Sequence, residues 1–175
     1  MENTLWGNIL NTNNGSESAS RLSVLSKISL FTELSRRELG RVSDIIHDRK
    51  YEKGETLFKM GQPGAAFFII MKGELDIIVP QDGGDPLTLA TIGEGQSVGE
   101  LALLDDSPRS AEAVASKNTH ALAFFREDLH KLLKSEPHIG SKIYKTLSSI
   151  IGMRLRATND QMQKIKVELE KTKPA

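Results

Sequence analysis

The sequence predicts an α+β domain that is mainly β: an antiparallel sandwich or jelly roll with helices before and after it. Between Tyr51 and Phe125, short apolar runs alternate with turn residues at a spacing of about ten residues, as sandwiches require. Residues 21–48 and those after Phe125 instead repeat their apolar positions every three or four residues, the period of helices. The length of 175 residues supports one domain with a core and an appendage rather than two domains.

The elements follow in chain order. Residues 1–19 are rich in Asn, Ser and Thr and read as a flexible leader. Within it, Leu5, Trp6, Ile9 and Leu10 allow one turn of amphipathic helix against the domain or a partner. An unstructured end with an isolated Trp is the simpler alternative. Leu22, Leu25 and Ile28 then recur in steps of three, and Leu39, Val42, Ile45 and Ile46 form a second helical stripe. Ser35 stands three residues before Glu38, a capping box that starts the second helix. The strand-like runs are 56–58, 66–71, 74–79, 87–92, 111–115 and 121–125, separated by glycine-bearing turns such as Gly61-Gln62-Pro63-Gly64.

A short helix is expected over 127–134, ending before Pro137, and a long one over 139–171. The chain thus divides into a leader (1–19), a roll with flanking helices (20–138) and a long helix with a tail (139–175). Along the long helix Leu155, Thr158, Met162, Ile165 and Leu169 alternate steps of three and four. Such a narrow seam on a charged helix is that of a two-stranded coiled coil, so a homodimer is expected through these residues. Packing of the seam on its own domain is the alternative.

Composition excludes several classes. Lys plus Arg and Asp plus Glu balance at 23 each, so no global field attracts nucleic acid or an acidic membrane. With no cysteine, disulfide and thiolate chemistry are ruled out. No apolar run approaches the roughly 18 residues of a membrane span, and the start lacks the features of a secretory signal. A soluble, cytoplasmic protein is expected. His47, His120, His130 and His138 are dispersed without metal-ligand spacing, so no metal and no metal-dependent jelly-roll enzyme is expected. Asp105-Asp106 before Ser107-Pro108 reads as turn chemistry. The basic residues after Gly152 are interleaved with Asp160, Glu168 and Glu170, the pattern of a solvated helix face.

Chemistry concentrates in Val98-Gly99-Glu100-Leu101-Ala102 and Pro108-Arg109-Ser110-Ala111. These segments combine a carboxylate, a guanidinium able to give two parallel N–H bonds to a phosphate, and a turn whose leading N–H groups face an anion. An anion with a neighbouring hydroxyl, such as the phosphate and ribose of a nucleotide, needs that set.

Gly99-Glu100-Leu101-Ala102-Leu103-Leu104 through Pro108-Arg109-Ser110-Ala111 resembles the phosphate-binding cassette of cyclic nucleotide-binding domains. These domains occur in the bacterial catabolite activator protein, in regulatory subunits of cyclic-AMP-dependent protein kinase and in cyclic-nucleotide-gated channels. The likeness covers about residues 24–171, with further landmarks at Leu30 to Ser35, Gly54-Glu55, Gly61, Gly64, Phe68 to Ile70 and Gly73 to Leu75. It implies an eight-stranded antiparallel jelly-roll β-barrel with N-terminal helices and a long C-terminal helix. It also implies that Glu100 binds the ribose 2′-hydroxyl, that Arg109 and the backbone of Gly99 to Ala102 hold the phosphate, and that Ser110 adds a hydroxyl. In the family, Thr at this last position often accompanies cyclic GMP, whereas Ser resembles the activator protein, which responds to cyclic AMP.

Arg154 to Asn159 resembles the activator's dimer helix, which places Thr158 on the base and directs Arg154 toward phosphate or Glu100. Asn159 stands where the activator has Ser. A carboxamide both donates and accepts, so Asn159 leaves the purine open. With the sequence running to Ala175, a winged helix-turn-helix like the activator's is not expected. The expectation is therefore a non-enzymatic cyclic nucleotide sensor, cyclic AMP before cyclic GMP, acting on a separate protein without direct nucleic-acid contact. A ligand-independent dimeric interaction module is the principal alternative, and a regulator working with a separate DNA-binding protein is a third.

Overall fold

The computed structural model describes residues 18–81 and 83–171. The leader through residue 17, with Leu5, Trp6, Ile9 and Leu10, lies outside the described residues. Residues 18–25 form helix α1, and a 3-10 turn (Ser29–Phe31) leads to α2 (Arg36–Asp44). The expected capping box is present: Glu38 N–H donates to Ser35 Oγ at 3.3 Å, and Ser35 N–H donates to the Glu38 carboxylate at 2.7 Å. Leu39 and Val42 form the buried face of α2.

Eight strands follow: β1 (His47–Tyr51), β2 (Thr56–Phe58), β3 (Ala66–Lys72), β4 (Glu74–Val79), β5 (Leu87–Gly93), β6 (Ser97–Val98), β7 (Glu112–Ala115) and β8 (Thr119–Phe125). They make two four-stranded sheets, β1-β8-β3-β6 and β2-β7-β4-β5. All pairs are antiparallel, and β1 meets β8, β2 meets β7, β3 meets β6 and β4 meets β5. That is a long hairpin rolled on itself, the jelly-roll arrangement. The sheets face each other without closing, so the expected barrel is an open two-sheet roll.

One boundary is corrected: the helical pattern extended to Asp48 ends at Asp44, and His47-Asp48 belong to β1. β1 is polar and mostly exposed, and is held by its backbone ladder to β8 rather than by its side chains. β6 is only two residues long, too short to show a period. Conversely, the continuous apolar run of β3 arises because both its faces are covered. Phe67 and Ile69 pack against the helices, and Phe68 and Ile70 lie between the sheets. On β8, Leu122 and Phe124 join the helical layer, and Ala121 and Ala123 the inter-sheet layer.

Helices α3 (Arg126–Ser135) and α4 (Pro137–Lys171) close the chain. Proline suits the first position of a helix, where its missing N–H has no intrahelical partner. The first half of α4 buries Ile139, Ile143 and Leu147 in the helical layer. Its second half is exposed: Leu155, Met162, Ile165 and Leu169 are each about half or more accessible.

Candidate functional site

The connection from β6 to β7 builds a cavity of about 250 Å³ on the second sheet. After Val98 the chain turns at Gly99, whose φ of +85° lies in the left-handed region. A Cβ there would collide with the Arg109 guanidinium and approach Ala66 O to 3.2 Å, so only glycine fits. The 3-10 turn Glu100–Leu103 follows, burying Glu100, Ala102 and Leu103. The return segment is pinned by the β2–β3 loop. Arg109 N–H donates to Gln62 O at 2.8 Å, Gly61 N–H to Arg109 O at 2.9 Å, and Gly64 N–H to Ser107 O at 3.2 Å. Gly64 is required by proximity: a Cβ on it would lie 2.9 Å from that of Ala102.

Glu100 is 7% exposed, and its carboxylate accepts a hydrogen bond from Arg154, reaching over from α4. Arg109 has no carboxylate within ion-pair distance among the described residues. It donates from Nη2 to Ala66 O at 2.5 Å, its guanidinium carbon sits 4.1 Å from the centre of the Phe58 ring, and its Nε is buried without a partner. Burial pushes the Arg109 guanidinium below the usual arginine range, and the nearby Glu100 charge opposes that shift. Asp105 Oδ1 accepts from Ser107 N–H at 3.0 Å, the turn chemistry expected of it. That bond also holds its carboxyl below the usual range.

Of the sequence-derived site residues, Val98, Gly99, Glu100, Leu101, Ala102, Pro108, Arg109, Ser110, Ala111 and Arg154 line the cavity. Thr158 and Asn159 do not. They lie exposed on α4, one turn or more beyond Arg154, where the helix has left the roll. Phe58, Gly64, Ile77, Asp105 and Ser107 line the cavity unannounced. Of these, only Gly64 and Asp105-Ser107 carried a signal, as turn residues. A larger groove of about 700 Å³ lies against α1. Its cation, Arg21, is already engaged by Asp48 at 2.6 Å and by the carbonyls of Ser43 and Ile46, so the smaller cavity is the better candidate. Among the described residues no cluster of His, Cys, Asp or Glu is arranged to hold a metal, and no helix is long and apolar enough to cross a membrane.

Residues 48–136 match the profile of the family described as cyclic nucleotide-binding domain. The chain belongs to that family. The jelly roll expected from the sequence is the fold of the family's solved members. One relative is the cyclic AMP receptor protein of Thermus thermophilus, 32% identical over 139 residues, covering 79% of this chain and 62% of that protein. Another is human cGMP-dependent protein kinase 2, 33% identical over 95 residues, covering 54% of this chain and 12% of the kinase. A solved cyclic nucleotide-binding domain from Methylobacillus flagellatus superposes with a TM-score of 0.70 at 28% identity, covering 91% of this chain and 86% of that one. This cyclic nucleotide-binding domain spans less than two thirds of the length of curated relatives it matches.

Proposed function

We propose that the chain is a non-enzymatic sensor of cyclic AMP that changes conformation on binding and acts on a separate protein. The observation that carries this reading is Arg109, a half-buried cation that faces the cavity without an ion-pair partner among the described residues. A buried charge is stable only when paired and hydrogen-bonded, and a cyclic phosphate supplies one negative charge and two exocyclic oxygens. Glu100, buried beside it, accepts from the ribose 2′-hydroxyl. The backbone of Gly99 to Ala102 and the Ser110 hydroxyl complete the cradle, with Val98, Leu101, Pro108 and Ala111 as its walls. Serine rather than threonine at position 110 supports cyclic AMP over cyclic GMP.

Arg154 links the cavity to α4. In the structure it occupies the Glu100 carboxylate, the acceptor that the ribose takes in this reading. Ligand and Arg154 therefore share one carboxylate, and binding shifts α4 by the difference in affinity for its two positions. Thr158 and Asn159, outside the cavity here, join the base only in the shifted position. The test is a calorimetric titration of protein stripped of nucleotide with cyclic AMP and with cyclic GMP. Micromolar or tighter binding of cyclic AMP, with cyclic GMP weaker, is expected. A preference for cyclic GMP overturns the base assignment, and silence with both from folded protein overturns the sensor reading in favour of a ligand-independent interaction module.

A further inference from the structure

Arg109 can point its N–H groups at a ligand only if something fixes the plane of its guanidinium. The surrounding backbone fixes one corner of it firmly and the other weakly: Nη2 donates to Ala66 O at 2.5 Å, whereas Nη1 lies a long 3.5 Å from Gly99 O, which leaves the tilt of the plane about the first bond to be set. The broad contact is with Phe58, whose ring centre is 4.1 Å from the guanidinium carbon. Phe58 is itself braced. Its ring leans on Phe68 of the opposite sheet, with centres 5.9 Å apart and planes inclined by 31°, and Phe68 is buried. The register of β2 on β7 slips between Thr56 and Phe58. A bulge of this kind re-aims the side chain that follows it. The aromatic pair thus forms a strut from the inter-sheet core to the cavity wall.

From this geometry we infer that Phe58 is a positioning residue for phosphate recognition, its ring face setting the plane of the Arg109 guanidinium. The inference rests on the cyclic nucleotide reading above. A ring face attracts a cation, and a guanidinium lying over it keeps its N–H bonds in its own plane, clear of the ring and available to an anion. An aliphatic side chain in place of Phe58 fills the same space but leaves the guanidinium free to turn.

The test is calorimetry of the wild-type chain, Phe58→Leu, Phe58→Tyr, Arg109→Lys and the Phe58→Leu/Arg109→Lys double variant. The ligands are cyclic AMP and the two diastereomers of its phosphorothioate, in which sulfur replaces one or the other exocyclic oxygen. Phe58→Leu is expected to weaken cyclic AMP about 3- to 30-fold, the span of a cation–π contact at exposed to desolvated sites. It should also narrow the preference between diastereomers, because a loosened guanidinium distinguishes the two oxygens less. Phe58→Tyr should restore both properties. On the Arg109→Lys background the loss should nearly vanish, since an ammonium has no plane to set.

An unchanged Phe58→Leu, or an equal loss for all three ligands that persists on the Arg109→Lys background, reduces Phe58 to packing and overturns the inference. Melting curves confirm folding, and Phe58→Met replaces Phe58→Leu should the latter not fold. Absence of binding by the wild-type chain overturns the cyclic nucleotide reading and this inference with it. Binding by the wild-type chain that Phe58→Leu leaves intact overturns the inference alone.

Discussion

Arg109 is surrounded by groups that hold a cation without neutralising it: a carbonyl and an aromatic face. Arg109→Ala leaves a bound phosphate buried and unpaired, at about 3–5 kcal/mol for an uncompensated charge, or roughly two to four decades in affinity. Titration with cyclic AMP measures this, and unchanged binding would remove Arg109 from the site. Glu100 makes a separate claim, about the ribose. A charge-assisted bond to the 2′-hydroxyl, about 1.5–3 kcal/mol, predicts that wild-type protein prefers cyclic AMP to its 2′-deoxy form by roughly 10- to 150-fold. Glu100→Gln should shrink that ratio below about tenfold, a neutral bond being worth less. Equal affinity of the wild-type chain for the two nucleotides would sink the ribose assignment. These two residues were legible in the sequence because a carboxylate and a guanidinium beside glycine- and proline-bearing turns belong to no core pattern. Phe58 and Ile77 were not. They reach the cavity through the pairing of β2 and β4 with β7, which no local pattern records.

Elements were legible where a side-chain period or a cap decides them. The helix begun by Ser35 and the apolar runs of β3 and β8 are there because burial selects their side chains. β1 and β6 were illegible because their neighbours select them: polar β1 is held by the β8 ladder, and β6 by a two-residue pairing with β3. The contact between α2 and α4 is likewise tertiary, and it has a pH signature. Glu38 accepts from Lys142 Nζ at 2.7 and 2.9 Å and from the Ser35 N–H, and together these lower its pKa from 4.5 to about 2. In this window the unfolded chain binds the proton more readily than the folded one. The stability contributed by Glu38 is therefore complete above about pH 4.5 and lost as pH falls toward 2. Urea unfolding at a series of pH values should show a shallower acid loss in Glu38→Gln than in the wild-type chain. Parallel curves for the two proteins would show that the pair does not couple α2 to α4.

On the scale of the whole molecule, what needs explaining is the length of α4. Its 35 residues extend about 52 Å at 1.5 Å per residue, and only the first half packs on the roll. Beyond Gly152 the helix presents Leu155, Met162 and Ile165 at 60%, 49% and 64% exposure, in line with Thr158 and Leu169. In proteins most helical stability comes from packing of an apolar face against a neighbour. A seam that alternates steps of three and four packs best against a copy of itself. We therefore propose a homodimer through Leu155, Thr158, Met162, Ile165 and Leu169, which would bring two cavities to one helical pair and let ligand at either bias the shared element. The seam covers little more than two heptads, so association should depend on concentration over the micromolar range. Sedimentation equilibrium should show a monomer–dimer equilibrium for the wild-type chain. It should show monomer alone for the Leu155→Lys/Ile165→Lys variant, which places like charges in the seam on both copies. The substituted positions lie outside the cavity, so the monomeric variant should still bind cyclic AMP. A wild-type chain that stays monomeric at hundreds of micromolar would refute the dimer and leave the second half of α4 open to a different partner.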